Sequence, residues 1–432
     1  MVAVDTGASG GASPGPVTTR RRFFPELEGM RGFAALGVLV THVAFSSSQV
    51  GWDEVPGFEQ QGNGFAANLL QQLHVSLPIF FVLSGMLLYR PFVLSTIADT
   101  RSPRLRPYFW RRALRTLPGY WVCLGVVLIT LNTDLIENFW DVLRPVLLLQ
   151  VYEQGAHVAG LEQAWSLATE VAFYATLPVF AALLHRFARK VSDPGQRARR
   201  ILTGLSLGLI VGIAFTIYTH QPSMGVYPMQ NEWPIGWVGF IAIGMALATL
   251  SATAEVAPHA VPAPYRLVMD RPILPWIGAV VVYLLACVSP FGDPGKANYP
   301  AMDQALVEHI AYLSFGLLIV APLTVPDLRS RFIKAVLSNP VTLYLGRISY
   351  GLYLWHIAII YYYSTDGVLF QVAGFGELLV VTLLGSTIAA TLSYYVVEKP
   401  AMALRERLGK TTRTPSVAVL DNTQERAPVP SA

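Results

Sequence analysis

The stretch FPELEGMRGFAALGVLVTHVAFS, residues 24–46, decides the fold class of this chain. After its first turn it is an apolar run interrupted by only two ionisable side chains, Arg31 and His42. A helical run of about 20 apolar residues crosses the ~30 Å hydrocarbon core of a membrane. The run is too long for the apolar part of a signal peptide and has no small-residue cleavage site, so we interpret it as a retained transmembrane span.

Runs of this kind recur along all 432 residues, of which 53% are hydrophobic and 13% charged. A soluble domain has about 25% charged residues, and a soluble core would need long helices that are apolar on every face. The sequence therefore predicts an all-α, polytopic integral membrane protein with about ten transmembrane helices. The predicted spans are 29–46, 75–94, 113–132, 166–186, 201–219, 234–251, 273–290, 306–324, 343–363 and 376–397.

Basic residues between the spans are concentrated in alternate loops. By the positive-inside rule, this alternation predicts a plasma (inner) membrane protein with both termini in the cytoplasm. It also accounts for the net charge of +4 without a nucleic-acid partner. The predicted cytoplasmic loops contain Arg20–Arg22, Arg101–Arg112, Arg189–Arg200, Arg266, Arg271, Arg329–Lys334 and Lys399–Arg413, whereas the opposite loops contain only Arg144 and Lys296.

Three segments are expected along the chain. Residues 1–21 and 406–432 are polar and predict disordered cytoplasmic tails, and residues 22–405 form the membrane domain. An amphipathic stretch at 139–152 is expected to lie in the outer interface. Cys123 and Cys287 fall in different apolar runs, so neither a disulfide framework nor a zinc site can be built from them, and no metal is expected.

Ionisable side chains inside a membrane are costly, so Arg31 and His42 are candidate functional residues. They are eleven residues apart, which is three helical turns and places both on one face about 16 Å apart. The predicted orientation puts Arg31 at the cytoplasmic rim, where it could hold a phosphate, and His42 near the midplane, where it could accept a proton from a hydroxyl. The alternative is a snorkelling arginine and a packing histidine.

Glu170 is the side chain of the fourth predicted span whose burial in the membrane has the highest free-energy cost. If its carboxylate contacts His42, it would orient the imidazole and stabilise the protonated form. The alternative is a polar clamp between helices.

Two further polar side chains are expected at mid-depth, Ser84 and His356. Ser84 precedes Gly85, a combination that is more often a helix-packing pair than a nucleophile. His356 is expected either to line a substrate site or to pack at a helix interface. Tyr350 and Tyr353 are interpreted mainly as part of an aromatic belt.

Five short motifs occur in order along the chain, together with the Arg31–His42 spacing. They are LPIFFVLSGMLL (77–88), RRALR with PGYW (111–121), WSLATEVAFY (165–174), LGRISYGLYLWH (345–356) and VEKP (397–400). In combination they resemble the acyltransferase family 3 proteins, which are ten-span O-acyltransferases of bacterial surface glycans and glycolipids. The resemblance covers roughly residues 22–405.

The resemblance implies an acyl donor, usually acetyl-CoA, that enters from the cytoplasm as a co-substrate, and a sugar hydroxyl outside as the acceptor. The family's R-x10-H residues fall on Arg31 and His42, and its R-x-x-R pair on Arg112 and Arg115, which are expected to contact the donor. A second acidic residue common in relatives is Thr169 here, which weakens any mechanism that needs two carboxylates.

The motifs also suggest lining residues for a pocket between the spans. Trp165 and Tyr350, with Ser84 and His356, are candidates to contact the acceptor or line the site.

The resulting hypothesis is transfer from acyl-CoA to an acceptor hydroxyl, with His42 and Glu170 as the catalytic pair. Direct transfer and an acyl-His42 intermediate are both open. A multispan glycolipid transporter or flippase is the alternative function, and its purified form should not consume acyl-CoA. The acceptor, a cell-envelope glycan or glycolipid, is not readable, although trehalose mycolates are the first to test. The oligomeric state is also open.

Overall fold

The computed structural model describes residues 24–50, 62, 64–225, 227–288, 300–364, 369 and 372–407. The predicted tails therefore lie outside the described residues, apart from 406 and 407. The described residues form fifteen α-helices and no strand, which confirms the all-α prediction. The helices are α1 (Pro25–Ser46), α2 (Gly64–Gln72), α3 (Ser76–Ile97), α4 (Leu105–Thr130), α5 (Phe139–Val146), α6 (Ala164–Ala188), α7 (Pro194–Thr219), α8 (Val238–Val256), α9 (Ala263–Asp270), α10 (Ile273–Ala286), α11 (Met302–Val320), α12 (Arg331–Leu337), α13 (Pro340–Tyr363), α14 (Phe375–Ser393) and α15 (Lys399–Arg407).

Each of the ten predicted spans coincides with a helix, but fewer than ten meet the requirements for crossing a membrane. Among the described residues, eight helices are long and apolar enough, or nine if α9 and α10, which meet at a 102° bend, count as one span. Alone, α10 has 14 residues, or about 21 Å. Helix α13 is long but less apolar, since it includes Arg347 and His356. It packs against α1 and α14, so less of its surface has to be apolar to face lipid.

The start of α1 fixes the positions of the two ionisable residues along the helix. The helix begins at Pro25, not at residue 29, because proline suits the first helical position and two acidic residues in the first turn favour the helix N-terminus. Arg31 consequently lies about 9 Å inside the helix and not at its rim. His42 lies about 6 Å from the other end of α1 and not at its middle.

Glycines bring α1 into backbone contact with α13. A Cβ added to Gly32 would lie 2.9 Å from the backbone nitrogen of Gly346, and one added to Gly346 would lie 2.2 Å from the carbonyl oxygen of Glu28. Small residues permit such close crossings in membrane helices. This packing places the later turns of α1 and α13, which contain His42 and His356, side by side.

Helices α3 and α8 also pack through glycines. A Cβ on Gly85 would lie 2.3 Å from the carbonyl oxygen of Ile241, and one on Gly244 would lie 2.1 Å from the carbonyl oxygen of Val82. Gly85 is therefore a helix-packing residue. The contact holds α3, and with it Ser84, in the centre of the bundle.

A single methyl group at this crossing is expected to destabilise the protein. In a Gly244→Ala variant the new carbon meets backbone, which cannot move aside as a flexible side chain would, so we expect a loss of about 3 kcal/mol. The matched control is Gly125→Ala in α4, where a Cβ meets nothing within 4 Å. Thermal unfolding in detergent would measure both variants, and equal melting temperatures would contradict the proposed contact.

The amphipathic stretch at 139–152 forms α5 and a 3₁₀ turn, Gln150–Tyr152. The side chain of Asn138 caps the first turn by accepting a hydrogen bond from the backbone N–H of Trp140. Phe139 and Trp140 are exposed. This apolar, aromatic surface is typical of a helix that lies in a membrane interface.

Candidate functional site

A large cavity of about 390 Å³ lies where the end of α1 meets the first turns of α3, α6 and α11. It has aromatic walls, since the rings of Trp165 and Trp237 lie 5.0 Å apart. Polar side chains line the rest. His42, Glu232 and Glu308 are among these polar residues.

A narrow pocket of about 40 Å³ lies next to the large cavity, deeper in the bundle. Arg31, Ser84 and Glu170 line it. Leu77 and Tyr353 line both spaces, so these two side chains separate the narrow pocket from the large cavity. The space near Arg31 and the space near His42 therefore adjoin each other.

His42 lies against His356, at the contact between α1 and α13. Nδ1 of His356 lies 2.8 Å from the carbonyl oxygen of Tyr353, and its Nε2 lies 3.1 Å from Nδ1 of His42. Because a carbonyl only accepts hydrogen bonds, Nδ1 of His356 carries a proton, and Nε2 of the neutral ring is an acceptor. The carbonyl oxygen of Val38 lies 2.9 Å from Nδ1 of His42, so Nδ1 of His42 also carries a proton.

These contacts assign the tautomer of His42. Its Nδ1 carries the proton and donates to Val38 and His356, which leaves Nε2 with a free lone pair. Since His42 lines the large cavity, this nitrogen is suited to accept a proton from a ligand there. His356 is fully buried behind His42 and lines neither space, so of its two expected roles the position favours packing at a helix interface.

Glu170 lies in the narrow pocket, where Oγ of Ser84 donates a hydrogen bond of 2.7 Å to its Oε1. Among the described residues Glu170 has no contact with His42. The orienting partner that the sequence suggested for His42 is therefore replaced by His356. Ser84 is engaged with Glu170, which favours a structural role over that of a nucleophile.

Three arginines from two helices lie close together at the narrow pocket. Arg31 interacts electrostatically with Arg112 and Arg115 from α4, and with Glu170. Nε of Arg31 is buried and has no hydrogen-bond partner among the described residues. The guanidinium of Arg112 lies 6.0 Å from the centre of the Tyr174 ring. The predicted grouping of the three arginines is thus present as a cluster.

The sequence did not single out Glu398, which also faces this cluster. It ends a π-helical turn, Tyr394–Glu398, is buried, and interacts electrostatically with Arg115 and Arg31. Single π-helical turns often occur at functional sites. The VEKP motif contained the signal, because a glutamate at the end of a span is costly to bury.

The two tyrosines assigned to an aromatic belt lie inside the bundle instead. The hydroxyl of Tyr350 donates to the carbonyl of Thr116 at 2.6 Å. That of Tyr353 donates to the carbonyl of Gln163 at 2.8 Å and therefore accepts from Ser166 at 2.6 Å. These bonds explain their burial: each hydroxyl has a partner, as buried hydroxyls require. Tyr350 lines the narrow pocket, as predicted, and Trp165 lines the large cavity.

Glu308 and His309 at the large cavity were also missed. Both belong to α11, inside the predicted span 306–324, where the rule that selected Arg31 and His42 could have found them. Oε1 of Glu308 accepts a hydrogen bond of 2.6 Å from the hydroxyl of Tyr312. Nδ1 of His309 lies 3.2 Å from the hydroxyl of Thr216.

Glu232 lines the large cavity from the loop before α8. Burial raises the pKa of its carboxyl to about 7. Its Oε1 lies 3.4 Å from Nε2 of His157, whose pKa burial lowers, so this contact is not an ion pair at neutral pH. Because the folded protein binds this proton more tightly than the unfolded chain, Glu232 lowers stability as the pH rises from about 4.5 to about 7, and the loss persists above pH 7.

A Glu232→Gln variant is therefore expected to be more stable than the wild type at pH 8, with a melting temperature about 2 °C higher or more. The difference should shrink towards pH 5, where the wild-type carboxyl is protonated. Thermal unfolding in detergent at both pH values measures it. Glu137→Gln, at an exposed position, is the control and should show no such pH dependence.

No group of three or more His, Cys, Asp or Glu side chains in the described part of the chain could hold a metal ion. The ionisable groups described at the site are the histidine pair, the arginine cluster and the two carboxyl groups of the large cavity.

These features define a polytopic, all-α membrane protein with a histidine at a large polar cavity and a narrow pocket, lined by an arginine, beside it. A family model described as an acyltransferase domain matches residues 24–396. The chain belongs to this acyltransferase family, which confirms the resemblance found in the sequence.

Two curated proteins are similar to this chain in sequence. O-acetyltransferase OatA of Staphylococcus aureus is 26% identical over 407 residues, covering 88% of this chain and 57% of the relative. Peptidoglycan O-acetyltransferase OatA of Listeria monocytogenes is 25% identical over 363 residues, covering 79% of this chain and 50% of the relative. The chain thus spans little more than half the length of these relatives. No solved structure matches it.

Proposed function

We propose that this protein is a membrane O-acetyltransferase that moves an acetyl group from acyl-CoA to a hydroxyl of a cell-envelope carbohydrate. One observation carries the proposal. Nε2 of His42 is unprotonated at the large cavity, and only Leu77 and Tyr353 separate this cavity from the pocket of the arginine cluster. Family membership and the names of the relatives support the reaction type.

The donor binds from the side of the narrow pocket. Arg112 and Arg115 hold the phosphates of the coenzyme, because guanidinium groups form charge-assisted hydrogen bonds with phosphate. At about 40 Å³, the pocket is too small for a nucleotide, and only the unbranched pantetheine arm of the coenzyme enters it. Arg31 lies along this path, so it meets the arm or the thioester and not the nucleotide.

The acceptor enters the large cavity and presents a hydroxyl to His42. As the hydroxyl oxygen attacks the thioester carbonyl, Nε2 of His42 takes its proton. The C–O bond forms, the C–S bond breaks, and the proton passes from His42 to the departing thiolate. His356 accepts a hydrogen bond from Nδ1 of His42 and so stabilises the transient imidazolium. An acetyl group carried on Nε2 of His42 would use the same nitrogen and the same two spaces.

The membrane topology follows from the distribution of charge. Alternation of basic residues between loops supports a plasma membrane location with both termini in the cytoplasm. In that orientation the arginine cluster faces the cytoplasm, where acyl-CoA is made, and the large cavity faces outwards.

The acceptor is a glycan or glycolipid of the cell envelope. The name of the Listeria relative supports peptidoglycan as one candidate, and trehalose mycolates are the other that we propose to test. The aromatic walls and polar groups of the large cavity suit a carbohydrate, because such pockets combine apolar faces with a few directional polar groups.

The proposal is tested with purified protein in nanodiscs, supplied with [¹⁴C]acetyl-CoA and cell-envelope extract. We expect acetyl groups to appear on carbohydrate and free coenzyme A to form in step. A transporter without acyl-transfer chemistry would leave acetyl-CoA intact, and that outcome would sink the proposal.

A further inference from the structure

The large cavity and the arginine cluster differ in charge. Among the described residues that line the cavity there is no lysine or arginine. The only side chains there that can carry a negative charge at neutral pH are those of Glu232, in the loop before α8, and Glu308, in α11. The narrow pocket, in contrast, contains Arg31 and borders Arg112 and Arg115.

Glu308 is held so that part of its carboxyl group is available to a ligand. Its Oε1 accepts from Tyr312, and the Tyr312 hydroxyl oxygen lies 3.1 Å from the side-chain amide of Gln72. The nearer atom of this amide is the acceptor Oε1 of Gln72, and since a hydroxyl has one proton, Tyr312 donates to only one of the two oxygens at a time. Within the described part of the chain, Oε2 of Glu308 has no hydrogen-bond partner.

Glu232 offers a second such group on the facing loop. Its Oε2 is buried and has no hydrogen-bond partner among the described residues. The backbone carbonyl of the same residue lies 3.4 Å from the hydroxyl of Thr169, which fixes the loop to α6. Two carboxyl oxygens with unused hydrogen-bonding capacity therefore border one cavity.

The energetic consequence depends on the charge of the ligand. A hydroxyl donates to a carboxyl oxygen, and each such bond to an otherwise unpaired buried group is favourable. A phosphate or carboxylate finds no cation among these lining residues and faces two carboxyl groups. Burying a charge without a partner is strongly unfavourable.

We infer that the acceptor site selects a polyhydroxylated ligand without anionic groups, and that Glu232 and Glu308 exclude anionic acceptors. Of the two candidate acceptors, uncharged trehalose mycolates therefore fit the site, and peptidoglycan, with its carboxyl groups, does not. The inference rests on the proposed function, because it treats the large cavity as the acceptor site. It assigns the two glutamates as specificity-determining residues. It also explains why coenzyme A, with its phosphates, is confined to the side of the arginine cluster.

The test uses membranes of the source organism, so that the natural acceptor is present whatever its identity. Membranes with wild-type protein and membranes with a His42→Ala variant are labelled with [¹⁴C]acetyl-CoA. Labelled glycans are digested enzymatically to mono- and disaccharides and separated by anion exchange. We expect the label that depends on His42 to elute with the neutral or cationic sugars.

The outcomes distinguish the inference from the function. Label that depends on His42 but elutes mainly with anionic sugars would overturn the inference and leave acetyl transfer intact. Equal labelling of the two membranes would overturn the proposed function itself.

Charge reversal tests the two glutamates. In Glu308→Lys, and separately in Glu232→Lys, we expect the ratio of anionic to neutral labelled sugar to rise at least tenfold. Glu137→Lys, at an exposed position, is the matched control and should leave the ratio unchanged. If both cavity variants keep the wild-type ratio while transferring acetyl groups, the glutamates do not set specificity.

Discussion

Replacing His42 with alanine is expected to lower kcat for acetyl transfer by about 10²- to 10⁴-fold, the usual contribution of a general base. The loss follows from the assigned tautomer, in which Nε2 is the proton acceptor at the large cavity. Binding of acetyl-CoA should change little, because the arginine cluster lies in the neighbouring space. Transfer of [¹⁴C]acetyl by purified protein in nanodiscs measures both quantities.

The control for this variant is another buried histidine outside both spaces. His185 in α6 is buried and packs against Tyr89, and we expect His185→Gln to retain wild-type transfer. Equal activity in His42→Ala and the wild type would rule out both direct transfer and the acyl-His42 route.

His356 should behave as a positioning residue and not as a catalytic one. In His356→Leu the hydrogen bond to His42 is lost, but Val38 still holds Nδ1, so we expect a fall in kcat of about tenfold with an unchanged KM for acetyl-CoA. His356→Gln, whose amide oxygen can accept the same bond, should recover part of the activity. A purely structural role predicts no recovery and a lower melting temperature for both variants.

The second large effect is expected at Arg31. An Arg31→Met variant removes a charged donor whose Nε has no partner among the described residues, so we expect the KM for acetyl-CoA to rise about 10- to 150-fold. This range corresponds to about 1.5–3 kcal/mol for a hydrogen bond to a charged group. Initial-rate kinetics at varied acetyl-CoA concentration measure it.

Lysine at this position separates charge from geometry. Arg31→Lys keeps the charge but not the planar fork of donors, so an intermediate KM is expected. Arg189→Met is the control, because Arg189 lies on the exposed surface and bonds only the backbone of Thr100 among the described residues. An unchanged KM in Arg31→Met would show that Arg31 does not contact the donor.

The positions of Arg31 and His42 relative to the ends of α1, and the hydrogen-bond partner of His42, could not have been predicted from the sequence. Helical periodicity placed Arg31 and His42 on one face of α1, and that holds because rise and twist are local properties. Their distances from the ends of α1 differ from those in the predicted span, because the helix begins at a proline outside the apolar run. Similarly, Glu170 was a reasonable partner for His42 by depth alone. The crossing of α1 and α13 at Gly32 and Gly346 decided otherwise.

Glu308 and Glu398 could have been selected as candidate residues from the sequence. Both are carboxyl groups in or next to predicted spans, where burial has a high cost, and the same argument that selected Glu170 applies to them. What the sequence lacked was their neighbours. Tyr312 follows Glu308 by one turn of α11 and could have been found from helical spacing, but Gln72 belongs to α2. Arg31, Arg115 and Glu398 come from three separate segments, so they meet only in the folded bundle.

The sequence by itself determined the fold class, the family and the presence of a histidine and an arginine three turns apart on one helix. These depend on composition, on ordered motifs and on the geometry of a single helix, all of which are local. Only the tertiary structure decided that His356 and not Glu170 orients His42, and that a narrow basic pocket adjoins a large cavity. Those features depend on how closely two helices approach, and this is set by glycines whose effect appears only when the opposing backbone is in place.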